Sequence, residues 1–128
     1  MDLCREHSST ALARLGERIC VEWLLSQGYE ILHTNYRCRL GEVDIIAKKG
    51  GSIAFVEVKT RSGPHLGAPE EAVTPAKQLR IRRTARHYLS TEATRNHCRS
   101  AQPRFDVAAV IVDVKKRQAL VRWIKNAF

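Results

Sequence analysis

No run of apolar residues in this 128-residue chain approaches the roughly 20 that cross a bilayer, the longest being short segments such as Val107 to Val112. No basic, apolar leader opens it either, since Asp2, Arg5 and Glu6 stand there instead. A soluble, cytoplasmic protein with no membrane association is therefore expected. Paired cysteines are lacking: Cys4, Cys20, Cys38 and Cys98 form no Cys-x-x-Cys motif, which points to reduced structural thiols rather than a zinc site. The histidines, His7, His33, His65, His87 and His97, make no metal-spaced pair, and no Gly-x-Ser-x-Gly elbow is present. The glycines from Gly63 to Gly67 lack the Lys-Ser/Thr of a phosphate loop. Nucleophilic hydrolases and nucleotide-binding enzymes lose their support. Acid is scarce as well, with 13 Asp and Glu against 22 Lys and Arg and a net charge of +9, which favours a polyanionic partner such as nucleic acid or an anionic membrane.

What is there suits one domain over residues 1–128, with 44% hydrophobic and 27% charged residues. Residues 1–9 read as a loose tail. Ser9 or Thr10 then caps a helix in which Leu12, Leu15, Ile19 and Trp23 recur at three- and four-residue spacing, and Gly28 ends it. Tyr29 to Tyr36 reads as a strand, followed by a polar connection from Arg37 to Gly41. Val43 to Lys48 and Ser52 to Lys59 are rich in β-formers and flank Lys49-Gly50-Gly51, the pattern of a hairpin. Residues 61–73, with Gly63, Pro64, Gly67 and Pro69, read as a mobile loop. Thr74 and Pro75 open a second helix to about Leu89. Residues 90–103 read as a second mobile loop, Phe105 to Val114 and Ala119 to Ile124 as the last strands. The order αβββαββ implies an α/β fold, a mixed sheet flanked by helices.

The acids are not scattered evenly, and several sit inside segments that read as buried strands. A turn centred between Gly50 and Gly51 sets Asp44 opposite Glu57 and Glu42 opposite Lys59, all four on one face, while Val43, Ile45, Ala47, Ala54, Val56 and Val58 make the other face apolar. Carboxylates so opposed have Cβ atoms roughly 4.5–5.5 Å apart and repel unless a cation or a proton separates them. Magnesium or manganese, which take oxygen ligands and keep several waters, answers that need, with Asp44, Glu57 and a main-chain carbonyl such as that of Val58 as ligands. Lys59, on the same face, can orient a water or stabilise charge developing on a phosphate. Glu17 lies beside the apolar stripe of the first helix, where a charge usually has a partner. Arg37, Arg39 and Arg61 border the cluster and are candidates for gripping a phosphate backbone, as are Lys77 and Arg80 on the second helix, whose apolar stripe lies near Ala76, Leu79 and Ile81.

From about residue 12 to 112 the sequence resembles the bacterial YraN-like proteins, a group similar to Holliday junction resolvases within the PD-(D/E)xK nuclease superfamily. The resemblance rests on Leu15-Gly16-Glu17, Asn35-Tyr36-Arg37-Cys38-Arg39, Gly41-Glu42-Val43-Asp44-Ile45-Ile46, Phe55-Val56-Glu57-Val58-Lys59-Thr60-Arg61, Glu71-Ala72-Val73, Lys77-Gln78 and Arg104-Phe105-Asp106-Val107. It implies a restriction-endonuclease-like core with Asp44, Glu57 and Lys59 as the signature triad, Glu17 as a helix carboxylate and Gln78 as a further catalytic position. Val43 stands where the superfamily usually has proline before the aspartate.

The expectation is a magnesium- or manganese-dependent endonuclease hydrolysing phosphodiester bonds in DNA, branched or structured DNA included. A resolvase-like activity would need two active sites, hence a homodimer, for which the sequence offers no dimer face. The alternative is a non-catalytic nucleic-acid-binding or adaptor protein that retains the fold. A polyanion binder, however, gains nothing from two carboxylates on its contact face.

Overall fold

The computed structural model describes residues 2–62, 73–91, 98 and 100–128, with residues 2–9 as backbone alone. Most of the expected loops at 61–73 and 90–103 lie outside these residues. The elements follow the expected order: α1 (Asp2–Ser26), β1 (Glu30–Cys38), β2 (Gly41–Lys49), β3 (Ser52–Ser62), α2 (Pro75–Ser90), β4 (Gln102–Asp113) and β5 (Gln118–Ile124). They form a five-stranded mixed sheet in the order β1-β2-β3-β4-β5, antiparallel except for the parallel β3–β4 pair. That parallel pair needs a crossover, and α2 lies within it.

Several boundaries differ from the sequence expectation. α1 begins at Asp2, so Ser9 and Thr10 are interior rather than capping, and the expected tail has helical backbone. Residues 2–7 contain no glycine or proline to stop the helix, and it propagates through the weaker formers Ser8, Ser9 and Thr10. Arg37 and Cys38 belong to β1 and Gly41 to β2, so the expected polar connection is largely a hairpin, with Cys38 paired to Gly41. The buried stripe of α2 is Ile81, Thr84, Ala85 and Tyr88, not the line near Ala76 and Leu79. Leu79 is exposed. Half-buried Lys77 and Gln78 continue that stripe into the first turns of α2, whereas Ala76 and Leu79 face away from the sheet.

Two cores sandwich the sheet. Cys20 and Leu24 of α1 pack with Ile45, Ala47, Ala54, Val56, Ala108 and Val110 on one side. Ile81, Ala85 and Tyr88 of α2 pack with Val43, Ile46, Ile53, Phe55 and Phe105 on the other. The alternation 53, 55, 57, 59 against 54, 56, 58 along β3 is the period-two pattern that the sequence carried. α1 crosses β3 at Gly16, whose missing side chain makes the approach: a Cβ there would lie 1.8 Å from Thr60 Oγ1. Trp23 stacks on Trp123 at 4.4 Å and ties α1 to β5. Cys20, Cys38 and Cys98 are free thiols. Among the described residues no helix is long and apolar enough to cross a membrane.

Candidate functional site

The β2–β3 ladder has the register that the Gly50-Gly51 turn predicts, running from Lys49 opposite Ser52 to Ile45 opposite Val56. It stops one residue short of Asp44 and Glu57, and there the strands part. Asp44 fills the opening: its Oδ2 accepts a hydrogen bond from the Val58 amide at 2.8 Å, a donor that strand pairing would otherwise use. On the other flank, β1 and β2 keep one register from Thr34 opposite Ile45 to Tyr36 opposite Val43, with Asn35 and Asp44 between these pairs, and the register shift of this pair lies at Ile31 to His33. Asn35 has φ 53, a left-handed conformation that asparagine tolerates. The distortion also changes the strand's parity. Val43 packs on the α2 side with Ile46 and Phe55, rather than with Ile45 and Ala47 as strict alternation requires.

Asp44 consequently sits in an unfavourable place for a carboxylate. Burial, then the neighbouring Glu57 charge and Glu17, push its pKa up to about 7, and the Val58 amide opposes them only in part. Glu57 is 7% exposed, and two ammonium groups meet one of its oxygens: Lys77 Nζ at 2.5 Å and Lys59 Nζ at 3.3 Å from Oε2. Burial pulls the Lys59 pKa below its ordinary value, with Lys77 adding to the effect. Burial, the largest single influence, acts against Lys77 too, but Glu57, Lys59 and Asp44 together hold Lys77 above the ordinary range.

The remaining candidates divide. Glu17 is half-buried on α1, accepts a hydrogen bond from Asn35 Nδ2 at 3.1 Å, and contributes to the field at Asp44. Arg80 lies beside Gly41, where a Cβ would come within 2.8 Å of its Cγ and of Thr84 Oγ1, so α2 rests directly on the β1–β2 hairpin. Glu42 does not reach across to Lys59. It pairs with Arg37 at 3.0 Å, both largely exposed, because β1 is its ladder neighbour at that level. Gln78 donates from Nε2 to the Val73 carbonyl at 3.0 Å and so ties down the start of α2 instead of meeting the carboxylates. Arg39, in the β1–β2 turn, and Arg61, near the end of β3, are exposed and do not line the cleft. Sequence reasoning missed Asn35, whose signal was its place opposite Asp44, and the pairing of Lys77 with Glu57, which no local pattern encodes.

Of these groups Arg37, Glu42, Asp44, Glu57, Lys77 and Arg80 share an open cleft of about 500 Å³, lined also by Cys38, Gly41 and Ile81, while Glu17, Lys59 and Gln78 lie outside its lining. Among the described residues no three His, Cys, Asp or Glu side chains converge as a ready metal cage. Asp44 and Glu57 nevertheless suit a hard cation. Magnesium is commonly held by one or two carboxylates, with waters and substrate phosphates completing its shell. The raised Asp44 pKa expresses the same need, a positive charge or a proton between two acids.

Residues 16–110, which contain every candidate site residue, match the family described as Uncharacterised protein family UPF0102. The chain belongs to the UPF0102 family. UPF0102 proteins of Caldicellulosiruptor saccharolyticus and Alkaliphilus metalliredigens are similar to it, at 47% identity over 117 residues and 48% over 120. Those alignments cover 91% of this chain and 96% of the first relative, and 94% and 99% for the second. A UPF0102 protein of Moorella thermoacetica is 46% identical over 115 residues. The YraN-like resemblance is thus met at the level of the family. The UPF0102 match starts at Gly16, under Thr60, and ends at Val110 in β4. It therefore spans the parting strands, Asn35, α2 and the whole cleft lining, and leaves out β5.

Proposed function

We propose that this UPF0102 protein is a metal-dependent endonuclease that hydrolyses phosphodiester bonds in DNA, branched or structured DNA included, through a restriction-endonuclease-like site. The observation that carries the reading is the meeting of Asp44 and Glu57 where β2 and β3 part, with Lys59 on the same face as Glu57 and the cleft open beside them. The αβββαββ order and five-stranded mixed sheet are compatible with that fold class.

Asp44 and Glu57 would hold magnesium or manganese, with the Val58 carbonyl as a further ligand and Glu17 behind Asp44. Bound there, the cation supplies Lewis-acid polarisation of a phosphate oxygen and neutralises its charge. Lys59 keeps an ammonium 3.3 Å from Glu57, where it would stabilise negative charge growing on a phosphate held at the carboxylates. The Val58 amide fixes the Asp44 carboxylate. Arg80 and Arg37 line the cleft with positive charge suited to the flanking phosphates, and Arg39 and Arg61 extend it along the surface.

The test is cleavage of labelled linear, flapped and four-way-junction DNA in magnesium, manganese or chelator, comparing the wild type with Asp44→Asn and Lys59→Ala. Metal-dependent cutting that both variants abolish supports the reading. A specific observation favours the rival, a non-catalytic nucleic-acid-binding or adaptor protein: Glu57 has two lysines of its own chain as counter-ions. That protein would cut nothing, and Asp44→Asn would leave its DNA affinity equal or improved.

A further inference from the structure

Glu57 has more positive partners than its charge requires. One ammonium satisfies a buried carboxylate, and Lys59, anchored two residues along the same strand, is already at 3.3 Å. Lys77 reaches the same oxygen from a different element, at 2.5 Å, and is the more exposed of the two, 37% against 21% for the side chain. Its position on α2 is unfavourable for a cation. It lies in the first turn, its amide capped by Thr74, where the helix presents its positive end. The helix therefore gains nothing from a lysine there, and the tie to Glu57 is what holds it. Arg80, three residues on and on the adjoining part of the helix face, lines the same cleft wall.

We propose that Lys77 is a displaceable counter-ion: its ammonium occupies Glu57 in the metal-free protein, and it leaves when a divalent cation binds there, freeing it to join Arg80 in holding a phosphate of the nucleic acid. Lys59, held by its own strand, stays at Glu57. Lys77 thereby couples the two ligands. Metal binding converts an internal ion pair into a phosphate contact, and nucleic acid in turn favours the metal-bound arrangement, since linkage is reciprocal. The inference rests on the metal-dependent reading above.

The test is the affinity for Mn2+ alone, by calorimetry, of the wild type, Lys77→Met, Lys77→Arg and Asp44→Asn. Lys77→Met removes the competitor and keeps the stem, so its Mn2+ affinity rises by about fivefold or more, within the usual range of coupled sites. Lys77→Arg, able to grip the carboxylate with two parallel hydrogen bonds, lowers it. With a phosphorothioate duplex as probe, Lys77→Met matches the wild type in chelator and falls behind it about fivefold in Mn2+. Any other order of Mn2+ affinities than Met above Lys above Arg overturns the proposal. So does an equal loss of duplex affinity with and without metal, the mark of a fixed phosphate contact. Failure of the wider reading looks different: no variant, wild type included, binds Mn2+. Mn2+ binding that is lost in Asp44→Asn but unaltered in Lys77→Met overturns the displacement alone.

Discussion

Two acid clusters lie in the sheet, and they are built in opposite ways. Asp106 on β4 is wholly buried, and every neighbour answers it: Arg104 donates from Nε and Nη2 at 2.8–3.1 Å, Trp123 Nε1 at 3.0 Å and the Asn126 amide at 3.1 Å. Tyr29 Oη in turn takes the other Arg104 contact at 2.7 Å. Asp44 on β2 receives one backbone donor and faces two further carboxylates. The first cluster is closed and holds β4, β5 and the chain end together. The second is left with unmet electrostatic demand at the floor of an open cleft. A buried acid completed by its own protein is a strut, whereas one left incomplete has capacity for a ligand.

Asp106→Ala should destabilise the protein more than any other single change at these acids. It strands the Arg104 guanidinium, the indole N–H and the Asn126 amide, and removing one partner of a buried pair costs about 3–5 kcal/mol. Urea denaturation should read that loss; a value under about 1 kcal/mol would mean that the cluster is not a strut.

Asp44 should behave in reverse. Its folded pKa, about 7, lies above the roughly 3.9 of an unfolded aspartate, so the native state holds a proton that the unfolded chain releases between those values. Without metal, stability therefore rises as pH falls from 7 towards 4, and the penalty is fully present above 7. Asp44→Asn, whose amide oxygen still accepts from Val58, should be more stable than wild type at pH 8 by on the order of 2 kcal/mol, the gap closing near pH 4. Thermal unfolding of both proteins across that range checks it. A constant gap would refute the strained carboxyl, and magnesium should narrow it at pH 8.

Gly16→Ala tests how tightly α1 is pressed on the site end of the sheet. With the added Cβ at 1.8 Å from Thr60 Oγ1, the helix must shift, a cost of about 1–3 kcal/mol measurable by urea denaturation. Because the shift carries Glu17 with it, the Asp44-linked pH profile should change as well. The smallest effect belongs to the rim. Tyr36 Oη lies 2.7 Å from His87 Nδ1 across β1 and α2, and Tyr36→Phe should lower stability by about 0.5–1 kcal/mol in the same assay, since exposed hydrogen bonds contribute little net.

Much of this was legible in the chain. The Gly50-Gly51 turn between two β-rich runs set the hairpin register, alternation put Phe55, Glu57 and Lys59 on one face, and Thr74-Pro75 marked the start of α2. These signals are local: turn conformations, period-two patterning and helix capping act over a few residues. The start of α1 and the stripe of α2 were misread because helix propagation and docking override short cues.

Local patterns in the chain therefore set the element order, the hairpin and the residues available to its acidic face. How those charges are partnered was settled by the packed fold. It sent Glu42 to Arg37, Gln78 to Val73, Lys77 to Glu57 and Asn35 to Glu17, and it bent β2 at Asp44 so that Val43 changed faces. The physical reason is distance along the chain. A salt bridge or a strand distortion depends on which helix crosses which strand, and at what height. Packing of both cores settles that together, beyond the reach of any short stretch of residues.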